Sequence, residues 1–103
     1  MVTIALSRER EIYRKQVLDR VQRWESNIIH LRAAIRKLEG NARLRCETRL
    51  HGLEKGNRNV FGRYADLLLA DDITWDERRA ALDAAGDELE GLFIDFAMNA
   101  QTD

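Results

Sequence analysis

The stretch "RKLEGNARLR", residues 36–45, decides the fold of this chain. A Gly-Asn pair such as Gly40-Asn41 commonly ends a helix, because glycine adopts the left-handed backbone conformation of a C-cap without a steric penalty. Here the chain either turns between two helices or continues as one long helix. These two outcomes expose different surfaces, so the surrounding pattern has to be weighed.

Apolar residues around this stretch recur in alternating steps of four and three, which is the heptad spacing of a coiled coil. The repeat passes from Leu38 to Ala42 without losing phase, and Glu39 and Arg43 make an acid–base i,i+4 pair across the site. These observations favour one continuous helix, with a turn as the alternative. The apolar residues that we predict to form a self-association seam are Val17, Val21, Trp24, Ile28, Leu31, Ile35 and Leu38.

The composition predicts an all-α protein. The chain has 103 residues and no proline, although average usage of about 5% would give roughly five. We expect residues 1–103 to form a single helical coiled-coil domain. The lone Cys46 cannot form an intramolecular disulfide, and the apolar start "MVTIAL" is too short for a signal peptide or a membrane span. We therefore expect a cytoplasmic protein that does not bind membranes.

A second helix boundary follows the run "LLLADD". Thr74 with Glu77 three residues later is a capping-box pattern, so a helix should begin near Trp75. The residues that we predict to pack this C-terminal helix are Trp75, Leu82, Leu89, Phe93 and Phe96.

The predicted fold is a long coiled-coil helix and a shorter C-terminal helix in an antiparallel hairpin, assembled as a helical bundle. The alternative is a monomeric three-helix bundle broken at Gly40-Asn41, with helices at about 7–39, 42–70 and 75–100.

Charge is distributed unevenly along the chain. Residues 1–63 hold 15 Lys and Arg against 7 Asp and Glu, a net charge of +8, whereas residues 64–103 hold 2 against 11, a net charge of −9. An arginine-rich nucleic-acid-binding protein is therefore an alternative function. Against it, Tyr13 and Trp24 lie on the seam and not on an exposed face where bases would stack.

Residues for catalysis or for metal binding are scarce. The chain has two serines and two histidines, and no spacing typical of a catalytic, cofactor or metal site. Glu47 and His51 share a helical face, which we interpret as a surface hydrogen bond. Cys46 is interpreted as a small apolar seam residue, and Asn57 either as a polar seam residue that fixes register or as a loop residue after Gly56. We predict no enzymatic activity, no metal and no cofactor.

The order of Tyr13, Trp24, Ile28, Leu31 and the segment "YADLLLADDITWDERRAALDAAGDELEGLF" resembles a family of small bacterial coiled-coil proteins of unknown function. The resemblance implies a long helix, a short acidic turn before a tryptophan, and a shorter amphipathic helix. It implies no enzymatic activity, although some members are described as stress-related.

These patterns predict a non-enzymatic helical interaction or structural protein. If the long helix forms, the shorter one covers less than half of it, so a second copy should cover the remaining seam. We expect a homodimer, with a protein partner as the next alternative.

Overall fold

The computed structural model describes residues 2–100, with side chains described for residues 7–99. Three helices follow one another: α1 spans Val2–Ile35, α2 spans Gly40–Leu68 and α3 spans Trp75–Ala100. The described residues include no strand, which confirms the all-α prediction. The helices run up, down and up, so that α1 and α3 are parallel and α2 is antiparallel to both.

The prediction of one continuous helix through Gly40 is wrong. Helix α1 ends at Ile35, and the next residues form tight i→i−3 hydrogen bonds, with Leu38 N donating to Ile35 O at 3.0 Å. Glu39 is extended, and Gly40 opens α2 with φ = 65°. The three-helix alternative describes the chain, with the break lying just before the Gly-Asn pair.

Burial explains why the chain turns here. A continuous helix would leave the apolar stripe of α1 facing water, whereas the turn lets α2 cover that stripe. Each large aliphatic side chain that becomes fully buried contributes about 1.5–3 kcal/mol. The Glu39/Arg43 pair that favoured continuity does not form: Arg43 Nε instead donates to Glu47 Oε1 at 2.8 Å, within α2.

The second turn begins α3 at Trp75, which confirms the predicted start. The capping differs from the expected reciprocal box. Asp71 Oδ1 accepts hydrogen bonds from the backbone N–H groups of Ile73 at 3.1 Å and Thr74 at 2.8 Å, and from the Thr74 hydroxyl at 2.9 Å. These bonds lower the pKa of Asp71 below its usual value of 3.8. The Asp71 carboxylate thus stabilises the turn between α2 and α3.

The core is a continuous column along the bundle axis. Its buried residues come from all three helices and are Tyr13, Val17, Val21, Trp24, Ile28, Ile35, Leu50, Leu53, Val60, Leu67, Trp75, Leu82, Ala85, Leu89 and Phe96. The Cα trace measures 60 × 20 × 18 Å, and its radius of gyration is 16.8 Å. About 13 Å is typical of a compact domain of this length, so the bundle is elongated and exposes long side faces.

The three helix pairs are not equivalent. Helix α2 approaches both α1 and α3 closely, whereas no Cα atom of α1 lies within 8 Å of a Cα atom of α3 in the described part of the chain. Long side chains span the gap between α1 and α3. One of them is Trp24, whose ring tip lies 3.3 Å from where a Cβ on Gly86 would stand. The absence of a side chain at Gly86 therefore lets the indole lie against α3.

Candidate interaction surfaces

The predicted self-association seam lies inside the bundle. Val17, Val21, Trp24, Ile28 and Ile35 are buried by the chain's own helices, and Leu31 is half-buried. Leu38 lies in the first turn and is partly exposed. A homodimer was predicted because, in a long helix, most of the seam would otherwise be exposed to water. Because α2 and α3 cover most of it, any self-association has to use other residues.

The residues predicted to pack the C-terminal helix lie mainly in the core. Trp75, Leu82, Leu89 and Phe96 are buried, whereas Phe93 is only half-buried and lines a surface groove. Their heptad-like spacing therefore located the inner face of α3, and only Phe93 also contributes to an open surface.

The side chains considered for chemistry at the sequence level are separated from one another. Glu47 pairs with Arg43, so the expected hydrogen bond between Glu47 and His51 does not form. Cys46 is half-buried beside the core. Among the described residues, no three His, Cys, Asp or Glu side chains lie close enough together to share a metal ion.

Asn57 lies within α2, so the interpretation of it as a loop residue is wrong. The residue is half-buried beside the core, and its Oδ1 atom is buried without a hydrogen-bond partner. It lines a groove between α1 and α2 together with Ile28, Ile29 and Arg58. A buried amide oxygen that is left unpaired costs free energy, so Asn57 lowers the stability of the packing between α1 and α2.

The α1–α2 face carries four exposed large apolar side chains that lie outside the predicted seam. Leu18 and Ile29 on α1 and Phe61 and Leu68 on α2 keep between 40% and 55% of their surface exposed. Arg32 lies 3.4 Å from Glu54, which shows the antiparallel register of the two helices. That register places Leu18 level with Leu68, so the four side chains lie along one face of the bundle.

Charges on the α1–α2 face are mixed. Glu25 and Arg58 line the same groove, yet neither has an ion-pair partner in the described part of the chain. Arg32 and Glu54 pair with each other. Two acids and two bases line the groove around Ile29, so this groove has no net charge and includes one unpaired group of each sign.

The α1–α3 side is held by polar bridges. The Tyr13 hydroxyl donates to Asp83 Oδ1 at 2.5 Å, and Trp24 Nε1 donates to Glu90 Oε2 at 2.9 Å. Burial raises the pKa of Tyr13 above its usual value of 10, and the Asp83 carboxylate raises it further. These bonds tether the two parallel helices at a distance and leave a groove between them.

This α1–α3 groove consists of two adjoining depressions of about 320 and 480 Å³ that share Asn27 and Phe93. One end is polar and includes Arg20, Arg23 and Glu90, with the Arg20 guanidinium 4.7 Å from the centre of the Trp24 ring. The other end is mainly apolar and is lined by Asn27, His30, Leu31, Ala34, Phe93, Phe96 and Ala97.

Some of the arginine side chains already contact acidic or aromatic groups of the same chain. Arg10 reaches Asp72 at 2.6 Å and lies over the Trp75 ring at 4.8 Å, and Arg79 lies over the Tyr13 ring at 4.3 Å. The rings of Tyr13 and Trp75 are thus buried and covered by the protein's own guanidinium groups.

Sequence reasoning missed the exposed faces because it followed only the strongest apolar repeat. Leu18 and Ile29 fall one position after seam residues Val17 and Ile28, and they were not part of the predicted seam. The sequence signal that could have located the exposed face is this second, less regular set of apolar residues beside the seam. Whether such a stripe is exposed depends on which side the next helix packs.

Comparisons with protein-family models, curated proteins and solved structures gave no match. The resemblance to small bacterial coiled-coil proteins therefore stays a prediction. Within the described residues, no helix has an apolar stretch long enough to cross a membrane.

Proposed function

We propose that this protein is a non-enzymatic helical interaction protein that works by self-association through its α1–α2 face. The observation that carries the proposal is the row of half-exposed apolar side chains on that face, Leu18, Ile29, Phe61 and Leu68. When a second surface removes such a row of aliphatic and aromatic groups from water, the complex is stabilised.

The mixed charges of the face favour a second copy as the partner. A two-fold axis running along the bundle would bring α1 of one copy opposite α2 of the other, at the same level. Glu25 of each copy would then face Arg58 of the other, giving two reciprocal ion pairs. A self-complementary patch of this kind is what a two-fold symmetric interface requires.

The available area is adequate. A side of the bundle measures 60 by about 20 Å, which offers on the order of 1,000 Å². Stable interfaces bury roughly 800 Å² per partner.

The experiment is light scattering coupled to size-exclusion chromatography over a range of protein concentrations. The wild-type protein should be a dimer at high concentration, and Ile29→Glu should shift it to monomer. Ile94→Glu is a matched control, because Ile94 is 54% exposed on α3 whereas Ile29 is 55% exposed on α1. A monomeric wild type at every concentration would refute the proposal.

A charge exchange tests the orientation of the two copies. Glu25→Arg and Arg58→Glu should each weaken the dimer about 5- to 30-fold, because every single reversal creates two like-charge contacts worth up to about 1 kcal/mol each. The double variant should recover most of the affinity. If the double variant is as weak as the two single variants combined, the copies do not meet in this way.

Nucleic-acid binding is the competing function. It would be favoured if the wild type bound RNA or DNA at low salt, if added salt weakened that binding steeply, and if Lys37→Glu in the first turn reduced it. If the protein retained nucleic acid and remained monomeric, nucleic-acid binding would replace self-association as the proposed function.

A further inference from the structure

The arrangement of α1 and α3 is that of two diagonal helices in a four-helix bundle. In such bundles neighbouring helices pack 8–10 Å apart and are commonly antiparallel, whereas diagonal helices are parallel and stand about 14 Å apart. Here α1 and α3 are parallel and have no Cα atoms within 8 Å of each other in the described residues, while α2 packs closely on both. The three helices thus occupy three of four corners, and the α1–α3 groove is the fourth.

From this geometry we infer that the α1–α3 groove binds one amphipathic helix of a partner protein, antiparallel to α1 and α3. This inference concerns a different surface from the proposed self-association face. Groove residues Arg20 to Ala34 span 15 residues of α1, a rise of about 21 Å at 1.5 Å per residue. A partner helix of about four turns fills that length.

The walls of the apolar end are low, which suits a helix as the ligand. Ala34 on α1 and Ala97 on α3 are both exposed and carry only a methyl group. Phe93 and Leu31 between them remain half-buried. Small residues at the rim let the backbone of an incoming helix approach, and the larger side chains beneath offer apolar surface for residues spaced i, i+3, i+4 and i+7.

Charge sets the orientation and the chemistry of the partner. Arg23 lies at the polar end of the groove and has no hydrogen-bond or ion-pair partner in the described part of the chain. Arg20 and Glu90 lie at the same end, Arg20 stacked on Trp24 and Glu90 accepting a hydrogen bond from Trp24 Nε1, so the lining of this end keeps one net positive charge. An antiparallel helix places its C-terminal end here, where the helix dipole is negative. The partner should therefore carry Glu or Asp in its last turn.

A second copy of this chain is a poor occupant of the groove. In the second copy, as in the first, all three helices already bury their main apolar stripes in the core of the same chain. A second copy could offer only the outer surface of an intact bundle, which is wider than one helix. A separate helix with an unburied apolar stripe fits the space.

The experiment uses three fluorescein-labelled 18-residue peptides and the Ile29→Glu protein, in which the proposed self-association is blocked. The first peptide has a leucine stripe at i, i+3, i+4 and i+7 and two glutamates in its last turn. The second has two lysines there, and the third has the same residues as the first in scrambled order. Fluorescence anisotropy gives each affinity. The first peptide should bind in the micromolar range, more tightly than the second and at least tenfold more tightly than the third.

Substitutions in the groove locate the site. Ala97→Glu and, independently, Ala34→Glu should weaken the first peptide more than tenfold, since each places a carboxylate among apolar side chains. Both positions are exposed, so far-UV circular dichroism should show an intact fold. Arg23→Glu should weaken the glutamate peptide about three- to tenfold and strengthen the lysine peptide.

The inference is overturned if the first peptide binds no better than the scrambled one, if neither alanine substitution affects its binding, or if Arg23→Glu leaves the preference between the glutamate and lysine peptides unchanged. It is also overturned if Ala97→Glu abolishes a wild-type dimer while Ile29→Glu does not, because a second copy would then occupy the groove. A wild type that never dimerises would refute only the proposed self-association, since the peptide measurement does not depend on it.

Discussion

Replacing Gly40 by alanine tests directly how the chain passes through the first turn. Gly40 has φ = 65°, in the left-handed region, and no atom lies within 4 Å of a Cβ built on it. The substitution therefore causes no steric contact with the rest of the protein. Its effect comes from the backbone conformation alone, which makes the sign of the stability change informative.

The expected magnitude follows from that conformation. A non-glycine residue in the left-handed region costs about 1–2 kcal/mol, so Gly40→Ala should lower the free energy of unfolding by about that amount. Gly52 is the matched control, because it lies inside α2 with open space around its Cβ position. Gly52→Ala should raise stability by about 0.5–1 kcal/mol through higher helix propensity.

Urea denaturation followed by circular dichroism at 222 nm measures both changes. The two variants should differ by about 2 kcal/mol, which corresponds to roughly 8–16 °C in thermal midpoint for a domain of this size. If Gly40→Ala stabilised the protein as much as Gly52→Ala does, Gly40 would lie within a regular helix. The turn, and the bundle built on it, would then be refuted.

Three further outcomes are expected. Leu89 is fully buried, so Leu89→Ala should lower the free energy of unfolding by about 2–5 kcal/mol, whereas Ile73→Ala on the exposed second turn should change it by less than about 0.5 kcal/mol. Because the folded-state pKa of Tyr13 is raised, its stabilising contribution is present below its usual pKa of 10 and is lost as pH rises. The phenolate absorbance at 295 nm that Tyr13→Phe removes should therefore appear only above that pH, together with loss of helical circular dichroism. Asp71 has a lowered pKa, so its contribution is present above 3.8 and is lost as pH falls; between about pH 5 and pH 2 the thermal midpoint of Asp71→Ala should fall less than that of the wild type.

Much of the local structure was predictable from residue patterns. The absence of proline indicated helices throughout, and Thr74 before Trp75 marked the start of α3. The heptad spacing identified most of the residues of α1 that became buried, Trp24 and Ile28 among them. These inferences hold because they depend on side chains that lie within a few turns of each other.

The candidate surfaces were less predictable. The α1–α2 face contains Leu18 and Ile29, which the sequence places beside the main seam, and nothing local shows that they remain exposed. The α1–α3 groove depends on two helices whose facing residues, such as Arg23 and Phe93, are 70 positions apart in the chain. Residues so far apart in the chain become neighbours only after the helices have packed.

The sequence by itself determined that the chain is helical, where its last helix begins and which stripe of α1 is apolar. The tertiary structure alone decided that α1 stops at Ile35 and that the stripe is covered by the chain's own helices. Locally, a helix through Gly40 and a turn at that point differ by only about 1 kcal/mol. The burial of many side chains against α2 and α3 is a larger contribution, and it is a sum over contacts between distant segments that no local pattern records.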